Sequence, residues 1–390
     1  DLVTVKDELS SMGNFEKVGG FEYLAILPDK VPTTANVQKY IDIVEEKATL
    51  RKLIKTANEI IDLGYNPTED VKDIMAGAEK KIFDIIQNKN QKSYTPIKDV
   101  LIESFTKLEE LYNQKSKITG VPTGFVDLDD KTAGLHGSDL ILIAARPAMG
   151  KTAFALNIAT HAAMTTKKAI AIFNLEMSKE QLVNRMLSAL GGIEGKKLQN
   201  GQMMQTDWKK YNEAMSQLAD TNMYIEDNAG ITSSDIRAKC RRLASKPEGL
   251  GLVIIDYLQL LTLGGKRPDS RQQEVSDISR SIKTMAMELK VPVIALAQLS
   301  RNAEKRENNE PMLADLRESG SIEQDADIVM FINRKDYYKA KEQLGKNDNA
   351  ETDIIIAKHR KGGTGKFTVL FEPTMMNFKN YISIKEEGEY

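Results

Sequence analysis

The residues best suited to chemistry lie in one short run, Ala145-Arg146-Pro147-Ala148-Met149-Gly150-Lys151-Thr152. It follows the apolar stretch Leu140-Ile141-Leu142-Ile143-Ala144 and opens into Ala153-Phe154-Ala155-Leu156-Asn157-Ile158-Ala159, so it reads as strand, tight loop and helix. Such a loop turns bare backbone amides and the positive end of a helix dipole toward an anion, and that is how a phosphate is held. Gly150 lets the backbone come close, Lys151 reaches the terminal phosphates, and the Thr152 hydroxyl can hold Mg²⁺. The pattern's first glycine is replaced by Ala145. A second Gly-Lys pair, in Gly362-Gly363-Thr364-Gly365-Lys366-Phe367, has Phe where Ser or Thr belongs and precedes a strand pattern. It reads as a hairpin turn.

Three more side chains sit where apolar strands end. Asp256 closes Leu252-Val253-Ile254-Ile255, where a carboxylate can reach Mg²⁺ through water or merely cap a turn. The phosphate loop favours the magnesium role. Glu176 lies just past Ala169-Ile170-Ala171-Ile172-Phe173-Asn174. A carboxylate there can polarise a water for attack on a γ-phosphate, or serve as an N-terminal helix acid. Gln298 follows the strand Val291–Ala297, and its amide can bond the γ-phosphate or stand in solvent. Two charged loops, residues 264–271 and 301–321, could grip a phosphate backbone. A charge run is more often a solvated face, and neither loop is strongly basic.

Strands must alternate with helices to bring these residues together. From about Thr123 they do, through helices around Leu182–Leu187, residues 196–222 and Val275–Leu289, and a further strand at Ile328–Ile332. The last part, Asp353–Ala357 and Phe367–Phe371, alternates as a hairpin. This pattern predicts a mostly parallel sheet covered on both faces, with ligands at the strands' carboxyl ends. Ahead of it, residues 1–33 are mixed, with breaks at Gly19-Gly20, Pro28 and Pro32. Residues 34–63 and 68–86 then form an antiparallel helical hairpin. A polar linker at 87–93 leads to a helix with the narrow seam Ile97, Leu101, Phe105, Leu108 and Tyr112, which wants a partner surface in its own or a neighbouring chain.

The totals set limits. The chain has 390 residues, enough for two or three domains, and a net charge of −2, too little for a broad nucleic-acid-coating face. Cys240 is the sole cysteine and the three histidines have no metal-ligand spacing. No run of about 18 apolar residues is present, so no membrane span is expected, and a cytoplasmic protein is the simplest reading.

Several stretches together resemble the replicative hexameric helicases of the DnaB type, with their RecA-like motor domain. They are the phosphate loop, Asn174-Leu175-Glu176-Met177-Ser178, Ile255-Asp256-Tyr257-Leu258-Gln259-Leu260, Arg271–Arg280, Ala297-Gln298-Leu299-Ser300-Arg301 and Asp315–Asp327. The resemblance implies a RecA-like domain over 120–390, a linker with its amphipathic helix over 91–119, and a small all-α N-terminal domain over 1–90. The front of that last domain is expected to be missing. It further implies ATP and Mg²⁺ held by Arg146, Pro147, Ala148, Met149, Gly150, Lys151, Thr152, Ala153 and Asp256, with Glu176 activating water and Gln298 coupling nucleotide state to DNA. Lys358 and Arg360 would reach the neighbour's γ-phosphate, Arg360 as arginine finger. Arg317, Glu318 and Gly320 match the DNA-contacting loop. The implied assembly is a homo-hexamer moving 5′ to 3′ on single-stranded DNA at a fork, with a primase and a loader as partners, in a bacterial or phage-infected cell. A strand-exchange or clock-type ATPase, or a non-motor loading or primase-docking ring, stays open as a rival on the same fold.

Overall fold

The computed structural model describes residues 2–30, 37–65, 96–113, 117–262, 270–299, 310–334 and 350–381, with helical positions also among 71–82. The chain divides into two units, residues 1–109 and 110–390. The first is helical: α1 (Leu2–Ser11), a 3-10 turn at Glu16–Val18, α2 (Gly20–Lys30) and α3 (Val37–Tyr65). Residues 2–30 are therefore more regular than their composition suggests. Gly19 and Gly20 do break the chain, both at positive φ. Pro28 falls near the end of α2, where its missing N–H removes one helical bond only. The second arm of the expected hairpin is helical at positions 71, 74, 75, 77, 78, 81 and 82, and Lys81 Nζ lies 2.7 Å from Glu59 of α3. The rest of that arm lies outside the described residues. Val44 and Ile54, two of the apolar side chains of α3, are 62% and 63% exposed. A two-helix hairpin buries one stripe of each helix, and α3 carries apolar side chains beyond it.

Helix α4 (Ile97–Asn113) runs through the boundary between the units. Its seam, Ile97, Leu101, Phe105, Leu108 and Tyr112, is between 61% and 87% exposed.

The second unit is α/β. It runs α5 (Val126–Thr132), β1 (Leu140–Ala145), α6 (Lys151–Thr166), β2 (Ala169–Asn174), α7 (Lys179–Gly191), α8 (Gly195–Asn200), α9 (Gln205–Ala219) and β3 (Met223–Glu226). Then come α10 (Ser233–Ala244), β4 (Leu250–Asp256), α11 (Arg271–Leu289), β5 (Val293–Gln298), a 3-10 turn Leu313–Ser319 and α12 (Gly320–Asp325). The chain closes with β6 (Ile328–Arg334), β7 (Ala350–His359), β8 (Gly365–Glu372) and β9 (Asn377–Asn380). The sheet order is β3-β2-β4-β5-β1-β6-β7-β8-β9. The first six strands in that order run parallel and the last three are added antiparallel.

Period-two alternation explains why the central strands look uniformly apolar. Ile141 and Ile143 face one core with α6, α7, Phe371 and Phe378, while Leu140, Leu142 and Ala144 face the other with Ile236, Ile278, Ile282 and Ile322. The Gly-rich run at 361–364 is the turn between β7 and β8, as expected. Residues 196–222 split into α8 and α9 at Gly201, which has φ +70°. Strand β3, helix α10 and strand β9 are additions to the expected pattern. Gln298 is the last residue of β5 rather than the first beyond it, and β5 starts at Val293 because Pro292 has no N–H to give the ladder.

Candidate nucleotide site

The loop after β1 leaves the sheet where β1 lies between β5 and β6. Ala145 is the last residue of β1, in register with Gln298, so its backbone is extended and needs no glycine. The left-handed positions fall later, at Ala148 (φ +64°) and Gly150 (φ +92°). Gly150 is required twice over. It takes a conformation L residues avoid, and an added Cβ would stand 2.9 Å from the Phe378 ring and 3.3 Å from Phe371. Arg334, at the end of β6, stacks over Phe371 at 4.9 Å and donates to the Ala148 carbonyl at 3.4 Å. The loop thus rests on side chains from β6, β8 and β9. Arg146 holds its other side by donating to the Leu299 carbonyl at 3.0 Å.

Helix α6 begins at Lys151, so the first side chains past the loop point into the cleft. Thr152 Oγ1 donates to Asp256 Oδ2 at 2.6 Å, and Lys151 Nζ lies 3.6 Å from Asp256 Oδ1 and 4.8 Å from the Tyr257 ring centre. Asp256 is 2% exposed, yet its Oδ1 accepts no hydrogen bond among the described residues. A buried carboxylate oxygen left over, beside a threonine hydroxyl, is the hard-oxygen donor pair that suits Mg²⁺ held with a nucleotide. Among the described residues no cluster of three or more His, Cys, Asp or Glu could cage a metal. An ion there would draw its remaining ligands from phosphate and water.

Asn174 joins the two carboxylate elements. Its Nδ2 donates to Asp256 Oδ2 at 3.3 Å, and its Oδ1 accepts from the backbone amides of Glu176 at 2.9 Å and Met177 at 2.7 Å. The exposed Glu176 side chain is thereby aimed over the cleft from a fixed loop. A cavity of about 400 Å³ is lined by Arg146, Gly150, Lys151, Thr152, Glu176, Arg185, Gln298 and Arg334. Four cations against one lining acid suit a polyanion such as a triphosphate. Burial holds the Lys151 ammonium below its ordinary pKa, with Asp256 and Glu176 pulling the other way. Burial likewise lowers Arg185, again opposed by Asp256 and Glu176. A contiguous cavity of about 390 Å³, sharing Met177, Arg185, Pro373 and Met376, gives room for the rest of a nucleotide.

The structure therefore brings together Arg146, Gly150, Lys151, Thr152, Glu176, Asp256 and Gln298. It places Lys358 and Arg360 elsewhere. His359 pairs with Ile328, the first residue of β6, and Arg360 donates to the Asp327 carboxylate, which also accepts from the Leu140 amide at the start of β1. The phosphate loop leaves the opposite end of that six-residue strand, about 17 Å away at 3.3 Å per residue. The backbone of Arg317, Glu318 and Gly320 belongs to the segment Leu313–Asp325, and the side chains of Arg317 and Glu318 lie outside the described residues, as do residues 264–269 and 301–309 of the two charged loops. Sequence reasoning missed Asn174, Arg185, Arg334 and Phe378. Only Asn174, a polar residue ending an apolar strand, carried a local signal.

The family model for the DnaB-like helicase C terminal domain matches residues 120–380, and that for the DnaB-like helicase N terminal domain matches residues 1–46. The chain belongs to the DnaB-like helicases. It is 50% identical over 380 residues to the replicative DNA helicase DnaC of Bacillus subtilis, covering 97% of this chain and 83% of that one. The replicative DNA helicase DnaB of Geobacillus stearothermophilus is 49% identical with the same coverage. Among solved structures, a DnaB-like replicative helicase described with its primase interactions superposes at a TM-score of 0.76, with 36% identity over 98% of this chain and 88% of that one. A solved ATPase domain superposes at 0.68, with 41% identity over 74% of this chain and all of that one. The parallel sheet with its helices is thus the RecA-like core of a DnaB-type helicase.

Proposed function

We propose that this protein is an ATP-driven replicative DNA helicase: a ring of six chains that encircles single-stranded DNA, moves 5′ to 3′ and parts the duplex at a fork. The observation that carries the ring is the separation just described. One chain holds the phosphate-loop cleft at one end of its sheet and the Lys358–Arg360 pair at the other, so only a second copy can bring that pair to the nucleotide.

In this reading Lys151 and the amides around Gly150 bind the β- and γ-phosphates. Thr152 and Asp256 hold Mg²⁺, which supplies charge neutralisation to the phosphates when bound. Glu176, fixed by Asn174, takes up the proton of the attacking water. Arg360 of the neighbouring copy stabilises the charge that develops on the transferred group, so hydrolysis depends on assembly. Gln298, on the strand beside the phosphate loop, relays the γ-phosphate's presence toward residues 299–320. Arg317, Glu318 and Gly320 grip the DNA backbone without reading sequence. Six weakly charged chains suffice because each places one such segment in a shared channel.

The domain division follows: 1–90 as a helical N-terminal domain, 91–119 as the linker carrying α4, and 120–390 as the motor. The open apolar faces of α3 and α4 suit contacts with other copies, and the N-terminal domain suits a primase and a loader. No helix among the described residues is long and apolar enough to cross a membrane. The site of action is the cytoplasm of a bacterial or phage-infected cell. The test is unwinding of a forked duplex that carries only a 5′ or only a 3′ tail. The wild type opens the 5′-tailed fork with ATP, and Lys151→Ala opens neither. Opening of the 3′-tailed fork alone, or unwinding by Lys151→Ala, would refute the reading.

A further inference from the structure

The two cations assigned to the neighbour's nucleotide have other partners in their own chain. Lys358 Nζ donates to the carbonyl of Glu323 at 2.6 Å and of Gln324 at 3.3 Å. Arg360 Nη2 donates to the Gln324 carbonyl at 2.5 Å, and Nη1 to Asp327 Oδ1 at 3.3 Å. Its backbone amide donates to the Asp327 carbonyl at 2.9 Å. Asp327 is a fixed point, since its Oδ2 also takes Lys283 at 2.5 Å and the Leu140 amide at 2.8 Å.

Glu323 and Gln324 lie in the last turn of α12, where carbonyls have no partner within the helix. A cation at that end satisfies them and complements the helix dipole. Helix α12 continues directly from the 3-10 turn Leu313–Ser319, so Leu313–Asp325 is one segment. Leu316 and Ile322 pin it to the sheet, at 2% and 0% exposure. This is the segment that holds Arg317, Glu318 and Gly320. Lys358 and Arg360 are like charges side by side, and burial together with Arg360 keeps the Lys358 ammonium below its ordinary pKa. A phosphate arriving from outside competes for both cations with two neutral carbonyls and one shared carboxylate.

We infer that Lys358 and Arg360 are also positioning residues of the DNA-gripping segment: they cap its helix while unrecruited, and release it when the adjoining chain's nucleotide draws them away. This rests on the ring reading and deepens it. It gives each subunit a direct link from the neighbour's triphosphate to its own hold on DNA, through two side chains and one helix end. By linkage, DNA that favours the uncapped segment must favour recruitment of the pair to the same extent.

The test is backbone hydrogen exchange over residues 320–325 in the assembled protein, with and without a non-hydrolysable ATP analogue. In the wild type these amides exchange slowly without nucleotide and roughly tenfold faster with it, as local opening becomes easier. Lys358→Met and Arg360→Met exchange fast in both states, since neither variant can bond the carbonyls. Lys358→Arg, which still can, restores the nucleotide dependence. Exchange indifferent to the analogue in the wild type, or Met variants as protected as the wild type, would overturn the inference. Wild-type exchange indifferent to nucleotide, alongside hydrolysis that Arg360→Ala abolishes, would remove this coupling and leave the ring reading standing.

Discussion

Lys151 is a cation placed where water is scarce before any phosphate arrives. Burial lowers its pKa from the ordinary 10.5, and the flanking carboxylates only partly oppose that. A bound triphosphate restores the preference for the charged form, so binding takes up protons in the window that opens at the lowered value and closes at the higher value of the bound state. Nucleotide affinity is therefore expected to fall as pH rises through that window. Calorimetry in buffers of different ionisation enthalpy reads the uptake, and Lys151→Arg, always charged, should lose it. Asn174 acts at a distance from the phosphates, through the amides of Glu176 and Met177 and the carboxylate of Asp256. Asn174→Ala should lower kcat by about tenfold or more, some 1.4 kcal/mol of positioning, while the nucleotide Kd changes little. A Kd that weakens as much as kcat would mean that Asn174 holds the loop's fold rather than the attacking geometry. Gly150, Lys151, Thr152 and Asp256 were legible in the sequence because their spacing is itself the requirement. Arg185 and Arg334 were not, because their place in the cleft depends on how α7 and β6 pack.

The phosphate loop borrows its seat from the end of the chain. Phe378 stacks on Phe371 with ring centres 4.3 Å apart and meets Phe154 of α6 edge-on at 5.3 Å. The antiparallel strands β8 and β9 thus brace both the loop and the helix that follows it. Phe378→Ala should cost about 3–5 kcal/mol of stability, read by denaturant unfolding, and should weaken nucleotide binding as well. Unchanged nucleotide affinity in the folded variant would show that the floor supports stability alone. None of this was visible in Asn377-Phe378-Lys379-Asn380, a four-residue strand with one inward side chain. Strand β3 escaped notice for a similar reason, being four residues long and half-buried throughout. Helix α10 buries only Ser233, Ile236 and Cys240, so its apolar period is faint. Its capping box, Thr232 with Asp235, was the signal available. The long alternation of apolar strands and amphipathic helices was readable because burial on both faces of a parallel sheet demands it.

The molecule as a whole is arranged for company. The cleft built on Lys151 and the cations Lys358 and Arg360 occupy opposite ends of one sheet, and α3 and α4 show apolar faces that their own described surroundings leave open. In the proposed ring both would be answered, because each head-to-tail contact would bring one copy's cations to the next copy's cleft. The most direct measurement is hydrolysis by mixed rings of Arg360→Ala and Glu176→Gln, each inactive alone. Interfaces that join an Arg360→Ala cleft to a Glu176→Gln neighbour contain every wild-type group, and in an equimolar random mixture they are about a quarter of the total. Hydrolysis should return on mixing, up to about that fraction of the wild-type rate. Mixed rings that form yet stay as inactive as either variant alone would contradict a site shared between subunits.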